Sequence, residues 1–388
     1  MDNGSGEVLA HIGSSDYLDA SRQGAINMTS AVRSPGSTLK PIIYGLAFEA
    51  GLAHPETLID DRPMRFGLYA PKNFDEGYRG SVTIREALQY SLNVPAVKAL
   101  NAVGPARLVA RLQRADFTPE LPAHEAPSLA IALGGIGLSL RDLASLYSGL
   151  ARGGDVVPLK HRIETGDQKK VAAGPQPKRL LSPVAAWYVS DILKDAPAPE
   201  GALGGRFAYK TGTSYGYRDA WAIGYDRAHT VAVWVGRADG SLTPGLTGRT
   251  AAAPLLFDAF RRLGPERAAL PRPPSGVLNV TGAALPPPLK RFAEPDEQRA
   301  EAGPYKDPPV LISFPPDRSD LELSELDDLI VLKAEGGALP LTWMIDGHPI
   351  PSEPHRREVV WQPEGRGFVK LTVTDSKGRA DRVSIRLR

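Results

Sequence analysis

A dense run of prolines between residues 265 and 309 constrains this chain more than any other feature of its sequence. Proline lacks a backbone N–H and fixes its own φ angle, so a segment this rich in proline disfavours both helix and sheet. We expect an extended, semi-rigid connector there, with a folded region on each side. The prolines are Pro265, Pro271, Pro273, Pro274, Pro286, Pro287, Pro288, Pro295, Pro304, Pro308 and Pro309.

The length of the chain allows two separate hydrophobic cores. It has 388 residues, and single cores stop growing at roughly 250 to 300 residues. We therefore predict a first domain over residues 1–265, a proline-rich linker over residues 266–306 and a C-terminal domain over residues 307–388.

The first region combines helical and strand patterns. Apolar residues recur at helical spacing from Leu39 to Ala47, around residues 87–97 and over Leu140 to Ala151, which predicts helices there. Residues 206–236 alternate instead, which predicts paired strands joined by a hairpin. Gly6 to Gly13 is predicted to be a further strand. Helices and antiparallel strands in separate runs indicate an α+β domain.

The last region carries short alternating segments between turn signals, the pattern of a small all-β sandwich. In the final segment the alternation predicts that Val383, Ile385 and Leu387 point inward. The segments are Val310 to Phe314, Leu329 to Leu332, Leu341 to Ile345, Val359 to Trp361, Phe368 to Val373 and Val383 to Leu387.

Composition narrows the chemistry. Lys and Arg total 46 against 44 Asp and Glu, and this net charge of +2 gives no electrostatic signature of a nucleic-acid partner. The absence of cysteine excludes disulfides, thiolate nucleophiles and cysteine-type zinc sites. The histidines are scattered without an H-E-x-x-H motif. No apolar run near the start resembles a signal peptide or a membrane span.

Three short motifs carry the candidate chemistry, and they occur in a fixed order along the chain. Residues 37–40 read S-x-x-K, residues 91–93 read S-x-N, and residues 210–213 read K-T-G-T. Each motif alone is common in unrelated proteins, where it marks a helix cap, a turn or a surface hairpin. Their conjunction in this order favours a catalytic site.

The first motif predicts a serine nucleophile with a lysine base. A serine hydroxyl needs a neighbouring base, and an ordinary lysine is charged and cannot accept its proton. Residues three apart on a helix share a face, so Lys40 can reach Ser37. Burial and the second ammonium of Lys210 both disfavour the charged form of Lys40, which makes a neutral base available.

The remaining motif residues suit the other steps of acyl transfer. Pro35-Gly36 places Ser37 at the start of a helix, where free N–H groups favour an oxyanion, and the Thr213 N–H is the second expected donor. Ser91 suits proton relay to a leaving amine, and Asn93 suits a substrate amide. Lys210, Thr211 and Thr213 provide a cationic, hydroxyl-rich edge for a carboxylate, and Gly212 is expected to admit a substrate backbone.

Longer runs around these motifs resemble the transpeptidase domain of class A penicillin-binding proteins. A further run at residues 55–61, P-E-T-L-I-D-D, and the β-rich tail resemble the 1C branch of that family. The runs are R-S-P-G-S-T-L-K-P at 33–41, Y-A-P-K-N-F-D at 69–75, R-E-A-L at 85–88, S-L-N-V-P-A-V at 91–97 and K-T-G-T-S at 210–214.

The resemblance implies the penicillin-binding and β-lactamase-like transpeptidase fold, followed by a small Ig-like sandwich. It implies that Ser37 attacks the D-Ala-D-Ala bond of peptidoglycan stem peptides, releases D-Ala and passes the acyl group to an amine of a neighbouring stem. β-Lactams would acylate Ser37 as substrate mimics. The resemblance implies no metal and no organic cofactor. Because a small sandwich adds little to acyl transfer, the C-terminal domain is a candidate for binding another cell-wall protein or glycan.

The family's intact members carry a membrane anchor and a glycosyltransferase domain ahead of the transpeptidase, and they lie on the periplasmic side of the inner membrane. Nothing in this sequence resembles those two parts, so we expect a fragment.

Two other readings stay open from the sequence. A D,D-carboxypeptidase or a β-lactamase would resolve the acyl-enzyme with water, although no E-x-x-L-N run between Ser91 and Lys210 supplies the glutamate of a class A lactamase. Alternatively, the chain could be a module that traps penicillin or stem peptide without turnover.

Overall fold

The chain forms two compact units, Met1–Glu294 and Pro295–Arg388, in the computed structural model. Among the described residues, no helix is long and apolar enough to cross a membrane. The structure describes residues 1–66, 69–122, 126–160, 176–202, 207–264, 268–292, 309–323, 329–353, 356–363, 365–376 and 378–388.

The described part of the first unit contains eight α-helices, five short 3₁₀ turns and one π turn. The α-helices are α1 (Lys40–Glu49), α2 (Ile84–Gln89), α3 (Asn93–Val103), α4 (Pro105–Arg114), α5 (Leu140–Ala151), α6 (Pro183–Leu193), α7 (Ala253–Arg262) and α8 (Pro287–Lys290). The 3₁₀ turns are Ala20–Arg22, Gly36–Leu39, Leu129–Leu133, Tyr215–Tyr217 and Gly282–Ala284, and the π turn is Gly248–Ala252.

The helix after the first motif lies in the middle of the core. Leu39, Ile42, Ile43 and Leu46 are fully buried, and α1 packs against α3 and α6. The helices predicted from Leu39 onward and over Leu140–Ala151 are confirmed, the second with its limits unchanged. A core helix of this kind holds its side chains in fixed positions, because well-packed interiors leave little free volume.

The strands of the first unit pair antiparallel. They are β1 (Leu58–Asp61), β2 (Gly80–Thr83), β3 (Asp155–Val156), β4 (Lys178–Arg179), β5 (Ala208–Thr213), β6 (Asp219–Tyr225) and β7 (Thr230–Gly236). The main sheet has the order β5-β6-β7, with Lys210 opposite Ile223 and Tyr225 opposite Thr230. The predicted hairpin is therefore confirmed, and β5, which carries the third motif, has one edge without a paired strand among the described residues.

The strand predicted over Gly6 to Gly13 is wrong. In this stretch only an isolated bridge between Glu7 and Lys160 is formed, and Leu9 and Ile12 are 52% and 80% exposed. Strand-like patterning stabilises a strand only where a neighbouring strand offers backbone partners and a packed face. Here the segment has neither along most of its length.

The described part of the proline-rich stretch, residues 268–292, lies against the first unit. Trp187 Nε1 donates to the Pro271 carbonyl at 3.1 Å, and the His54 ring contacts the Leu278 carbonyl at 2.7 Å. Phe292 is buried in the same core. The backbone carbonyls of this segment therefore bind side chains of the unit in place of a sheet or a long helix. The domain limits given above stay a prediction.

The second unit is an all-β sandwich with its own core, as predicted. Its two sheets have the strand orders β13-β10-β8 and β12-β11-β14-β15-β9, antiparallel except for β15 with β9. Trp343 is fully buried between them, and Val383, Ile385 and Leu387 point inward. The strands are β8 (Leu311–Phe314), β9 (Asp320–Leu321), β10 (Ile330–Glu335), β11 (Thr342–Ile345), β12 (His348–Ile350), β13 (Glu358–Trp361), β14 (Gly367–Thr374) and β15 (Ala380–Leu387).

Candidate active site

Ser37 lies in the 3₁₀ turn that leads directly into α1, and it is half-buried. The turn approaches β5 closely at Gly36, whose φ is +53°. A Cβ on Gly36 would lie 2.5 Å from the Thr213 carbonyl oxygen, so only glycine fits there. Ser37 is therefore fixed beside the end of β5.

Two buried aromatic residues hydrogen-bond to the backbone of this turn and of the residues just before it. Trp221 Nε1 on β6 donates to the Ser34 carbonyl at 2.9 Å, and the Tyr147 hydroxyl on α5 donates to the Thr38 carbonyl at 2.7 Å. Both rings are fully buried or nearly so. Trp221 is therefore a packing residue that supports the turn from the core.

Lys40 is completely buried, and its amine faces the second motif. Lys40 Nζ donates to the carbonyls of Ser91 at 2.7 Å and Leu92 at 3.0 Å, and to Asn93 Oδ1 at 2.6 Å. The Ser91 hydroxyl oxygen lies 3.5 Å from the same amine, so four acceptors surround Lys40 Nζ. Ser37 Oγ and Lys40 Nζ are not hydrogen-bonded in the described structure. Catalytic hydrogen bonds often tighten only when substrate binds.

Ser91 joins α2 to α3 in an unusual backbone conformation. Its φ is +58°, in the left-handed region that residues with a side chain rarely adopt. The Ser91 carbonyl binds Lys40, and the Ser91 hydroxyl accepts a hydrogen bond from Lys210 Nζ at 2.8 Å. Backbone strain of this kind persists where the surroundings enforce it, and it is frequent at functional sites.

Lys210 approaches the same hydroxyl from the opposite side. It is 3% exposed on β5, and its amine also donates to the Thr211 carbonyl at 2.8 Å. Burial lowers the pKa of Lys210 to about 7. Burial, and then the nearby charge of Lys210, lowers the pKa of Lys40 well below its ordinary value, while Asp61 acts in the opposite direction. The site thus holds two amines that are easily deprotonated around one hydroxyl.

The open edge of β5 presents backbone donors beside Ser37. The Ser214 N–H donates to the Asp219 carbonyl at the strand junction. Because N–H groups alternate along an antiparallel strand, those of Thr213 and Thr211 point away from β6 and toward the open edge. Gly212 is required by the chain itself, since a Cβ there would lie 2.6 Å from the Pro35 carbonyl oxygen.

Two further residues extend the site and were not singled out as site residues from the sequence. Asn73 Nδ2 donates to both oxygens of Asp61, at 2.8 and 2.9 Å, and Asn73 Oδ1 accepts from the Asn93 backbone N–H at 2.7 Å. Asp61 is fully buried, so its carboxylate lies inside the fold. The only sequence signal for Asn73 was its place in the Y-A-P-K-N run.

An aromatic pair links the two sides of the site. Phe74 follows Asn73, and Tyr217 lies in the turn after β5. Their rings meet edge to face with centroids 5.6 Å apart. Phe74 is 62% exposed. Tyr215, in the same turn as Tyr217, is almost fully exposed and makes no ring contact among the described residues.

Within the described ranges, no cluster of His, Cys, Asp or Glu could hold a metal ion. Lys40, Ser91, Asn93 and Lys210 are joined by direct hydrogen bonds, and Ser37 is tied to them through α1 and through the contact of Gly36 with β5. The available chemistry is therefore that of serine hydroxyls next to lysine amines, facing an open strand edge.

Comparison with known proteins gives the family. The profile of the penicillin binding protein transpeptidase domain matches residues 1–256, and that of the penicillin-binding protein C-terminus family matches residues 299–386. The chain belongs to the penicillin-binding proteins. This penicillin-binding chain is 43% identical over 272 residues to penicillin-binding protein 1C of Escherichia coli, covering 69% of this chain and 34% of that protein. The expected resemblance to the class A, 1C-type branch is confirmed.

A second curated relative, penicillin-binding protein 1F of Bacillus subtilis, is 33% identical over 61% of this penicillin-binding chain and 34% of its own length. The chain thus spans about a third of the length of both relatives.

Two solved structures share the fold at 21% identity. Penicillin-binding protein 1A from Haemophilus influenzae gives a TM-score of 0.54 over 65% of this chain and 46% of that one. PonA1 from Mycobacterium tuberculosis, in complex with penicillin V, gives 0.56 over 68% of this chain and 77% of that one. The α+β transpeptidase fold of this penicillin-binding chain is confirmed.

Proposed function

We propose that this chain is a serine D,D-transpeptidase that cross-links peptidoglycan stem peptides through an acyl-enzyme on Ser37. The observation that supports it most is the meeting of Lys40 and Lys210 at one hydroxyl, that of Ser91, next to the turn that carries Ser37. Neutral amines at this position can move protons between a nucleophile and a leaving group near neutral pH.

Acylation starts with Ser37 Oγ attacking the carbonyl carbon of the penultimate D-Ala while its proton passes to the neutral Lys40 amine. The tetrahedral oxyanion receives hydrogen bonds from the backbone N–H groups of Ser37 and Thr213. The C–N bond then breaks, and the leaving nitrogen takes a proton from the Ser91 hydroxyl, which Lys40 restores. Free D-Ala departs, and Ser37 holds the stem peptide as an ester.

Transfer runs the same steps in reverse with a different amine. An amine of a neighbouring stem attacks the ester carbonyl, and its proton passes through Ser91 to Lys40. The C–O bond to Ser37 then breaks, and Lys40 returns the proton to Ser37 Oγ. In the preceding acylation step, Lys210 and the hydroxyls of Thr211 and Thr213 bind the terminal carboxylate of the donor stem, which then leaves with D-Ala. A β-lactam presents a carboxylate and a strained amide to the same groups and acylates Ser37.

We propose the same setting for the longer protein as for its family: the periplasmic side of the inner membrane, with stem peptides and β-lactams as ligands. The all-β unit is proposed to bind other cell-wall proteins.

The test is covalent labelling by a fluorescent penicillin, with the adduct located by mass spectrometry. Ser37→Ala is expected to abolish labelling, and Ser91→Ala is expected only to slow it, because Lys40 remains. Ser81→Ala, an exposed serine on β2, is the matched control and should label like the unaltered chain. Undiminished labelling of Ser37→Ala would defeat the proposal.

Turnover separates transfer from the two other readings. The unaltered chain is incubated with stem pentapeptide, with and without an added amine acceptor. A transpeptidase releases D-Ala and forms the amide only with the acceptor. If D-Ala is released at the same rate with and without the acceptor and no amide forms, the chain is a carboxypeptidase. If the chain is labelled by penicillin but forms no product from the stem peptide, it is a trapping module.

A further inference from the structure

A buried carboxylate lies behind the Lys40 site. Asp61, the last residue of β1, is fully buried. Its oxygens accept hydrogen bonds from Asn73 Nδ2, at 2.8 and 2.9 Å, and from the Arg79 backbone N–H at 2.8 Å. Burying a carboxylate is costly unless its lone pairs are satisfied, and Asp61 has no ion pair among the described residues. Because burying the Asp61 carboxylate costs free energy, we expect this residue to have a role other than packing.

Hydrogen bonds run without a break from this carboxylate to the lysine amine. Asn73 Oδ1 accepts from the Asn93 backbone N–H at 2.7 Å, and Asn93 Oδ1 accepts from Lys40 Nζ at 2.6 Å. Asn73 is 4% exposed, so water does not compete for these bonds. The path therefore fixes where Asn93 sits and, through its side chain, where the amine points.

We propose that Asp61 and Asn73 are positioning residues for acylation, which hold the Lys40 amine through Asn93 and set the pH at which it becomes a base. This inference rests on the proposed function. It adds residues that touch neither the nucleophile nor the β5 edge.

The charges around Lys40 determine the direction in which loss of Asp61 should shift the pKa of Lys40. The charged groups that act on it are Lys210 from β5 and Asp61 from β1. Asp61 raises the pKa of Lys40, against the larger lowering effects of burial and Lys210. Removing the negative charge of Asp61 therefore lowers the pKa of Lys40 further. Neutral Lys40 would then be present at more acidic pH.

The test is the pH profile of Ser37 acylation by a fluorescent penicillin in the full chain, followed from about pH 5 to pH 9. In Asp61→Asn the midpoint of the acid limb is expected to fall by about half a pH unit or more. If Asp61 only stabilised the fold, the variant would lose stability and keep its midpoint. An unmoved or raised midpoint overturns the inference.

The matched control is Asp226→Asn. Asp226 is also buried, at 2% exposure, and its carboxylate accepts from the backbone N–H groups of Ala228 and His229. Asp226 lies in the hairpin after β6. The residues of β6 that pair with Thr213 and Gly212 of the site, Ala220 and Trp221, lie at the other end of that strand. Its replacement is expected to leave the midpoint of the acid limb unchanged.

A double variant exchanges the two side chains. Asp61→Asn with Asn73→Asp keeps a hydrogen bond between positions 61 and 73 and returns the carboxylate to the path, so the midpoint should return to within a few tenths of the original. This variant also serves as the test if Asp61→Asn does not fold. A midpoint displaced by half a unit in the exchange variant contradicts the inference. Absence of any Ser37 adduct in the unaltered chain defeats the proposed function instead.

Discussion

The Ser91 hydroxyl lies between two lysine amines, and this arrangement makes both lysines sensitive to pH. Lys210 Nζ is 2.8 Å from the Ser91 oxygen and Lys40 Nζ is 3.5 Å from it. Neither amine has a carboxylate in direct contact among the described residues, so each stays charged only at a cost. Because the two amines interact, they titrate as a coupled pair. The apparent pKa from a pH–rate profile therefore belongs to the pair and not to either lysine alone.

The stability of the chain should therefore rise with pH above neutrality. The pKa of Lys210 is about 7 in the folded chain, and the unfolded state keeps the proton to about pH 10. Between these values the unfolded state binds more protons, so the free energy of unfolding increases, by about 2 kcal/mol between pH 7 and pH 9 for this one group. In Lys210→Met we expect a smaller rise, measured by urea unfolding at both pH values. An equal rise in the variant would show that Lys210 does not lose its proton on folding.

The backbone of Ser91 allows its hydroxyl and its conformation to be tested apart. Ser91→Ala keeps a Cβ in the left-handed region, and Ser91→Gly removes it. We expect the glycine variant to be more stable than the alanine variant by up to about 1 kcal/mol, measured by thermal unfolding. Both should acylate equally slowly, because both lack the hydroxyl. A faster glycine variant would mean that the strain itself limits acylation.

At the scale of elements, the segment between β1 and β2 builds one wall of the site. Its Asn73 accepts a hydrogen bond from the Asn93 backbone N–H. Its Phe74 packs against Tyr217, on the turn after β5. Edge-to-face aromatic pairs contribute about 0.5–1.5 kcal/mol beyond their buried area. The pair thus holds together two segments that are more than a hundred residues apart.

Phe74→Ala should loosen this wall with little effect on the chemical step. We expect the apparent dissociation constant for penicillin to rise roughly two- to tenfold, the range that the energy of one aromatic pair gives. The first-order acylation rate should stay nearly the same, and both come from the concentration dependence of labelling. Tyr17→Ala, which removes an exposed ring elsewhere, is the control. A variant with unchanged affinity would show that the pair does not shape the groove.

The same scale shows what the sequence could predict. Ser37 and Lys40 share one helical turn, and Lys210 to Thr213 lie on one strand, so local motifs in a fixed order were enough to propose them. Asp61 and Asn73 act through tertiary contacts between separate segments, which no local pattern encodes. The strand predicted at Gly6 to Gly13 failed for a related reason: its pattern was adequate, but whether a partner strand lies beside it depends on the whole fold.

At the scale of the molecule, the two units have separate cores. The described core residues of the first unit end at Phe292, and those of the second begin at Val310. Each unit therefore has its own source of hydrophobic stabilisation.

Damage to the second core should accordingly leave acylation intact. Trp343 is fully buried there, and Trp343→Ala is expected to cost about 3–5 kcal/mol, which is enough to unfold a small sandwich. Thermal unfolding should show the loss, while the rate of penicillin labelling at Ser37 stays the same. Loss of labelling together with the second unit would contradict independent folding.

The glycines that lock the turn of Ser37 against β5 also bear on how drug resistance could arise. A methyl group at position 36 or 212 would collide with backbone oxygens. Substitutions at these two positions are therefore not a route by which the position of Ser37 relative to an inhibitor can change. The exposed ring of Phe74 carries no such restriction. We expect resistant descendants of this chain to accumulate changes around that ring and to leave both glycines untouched.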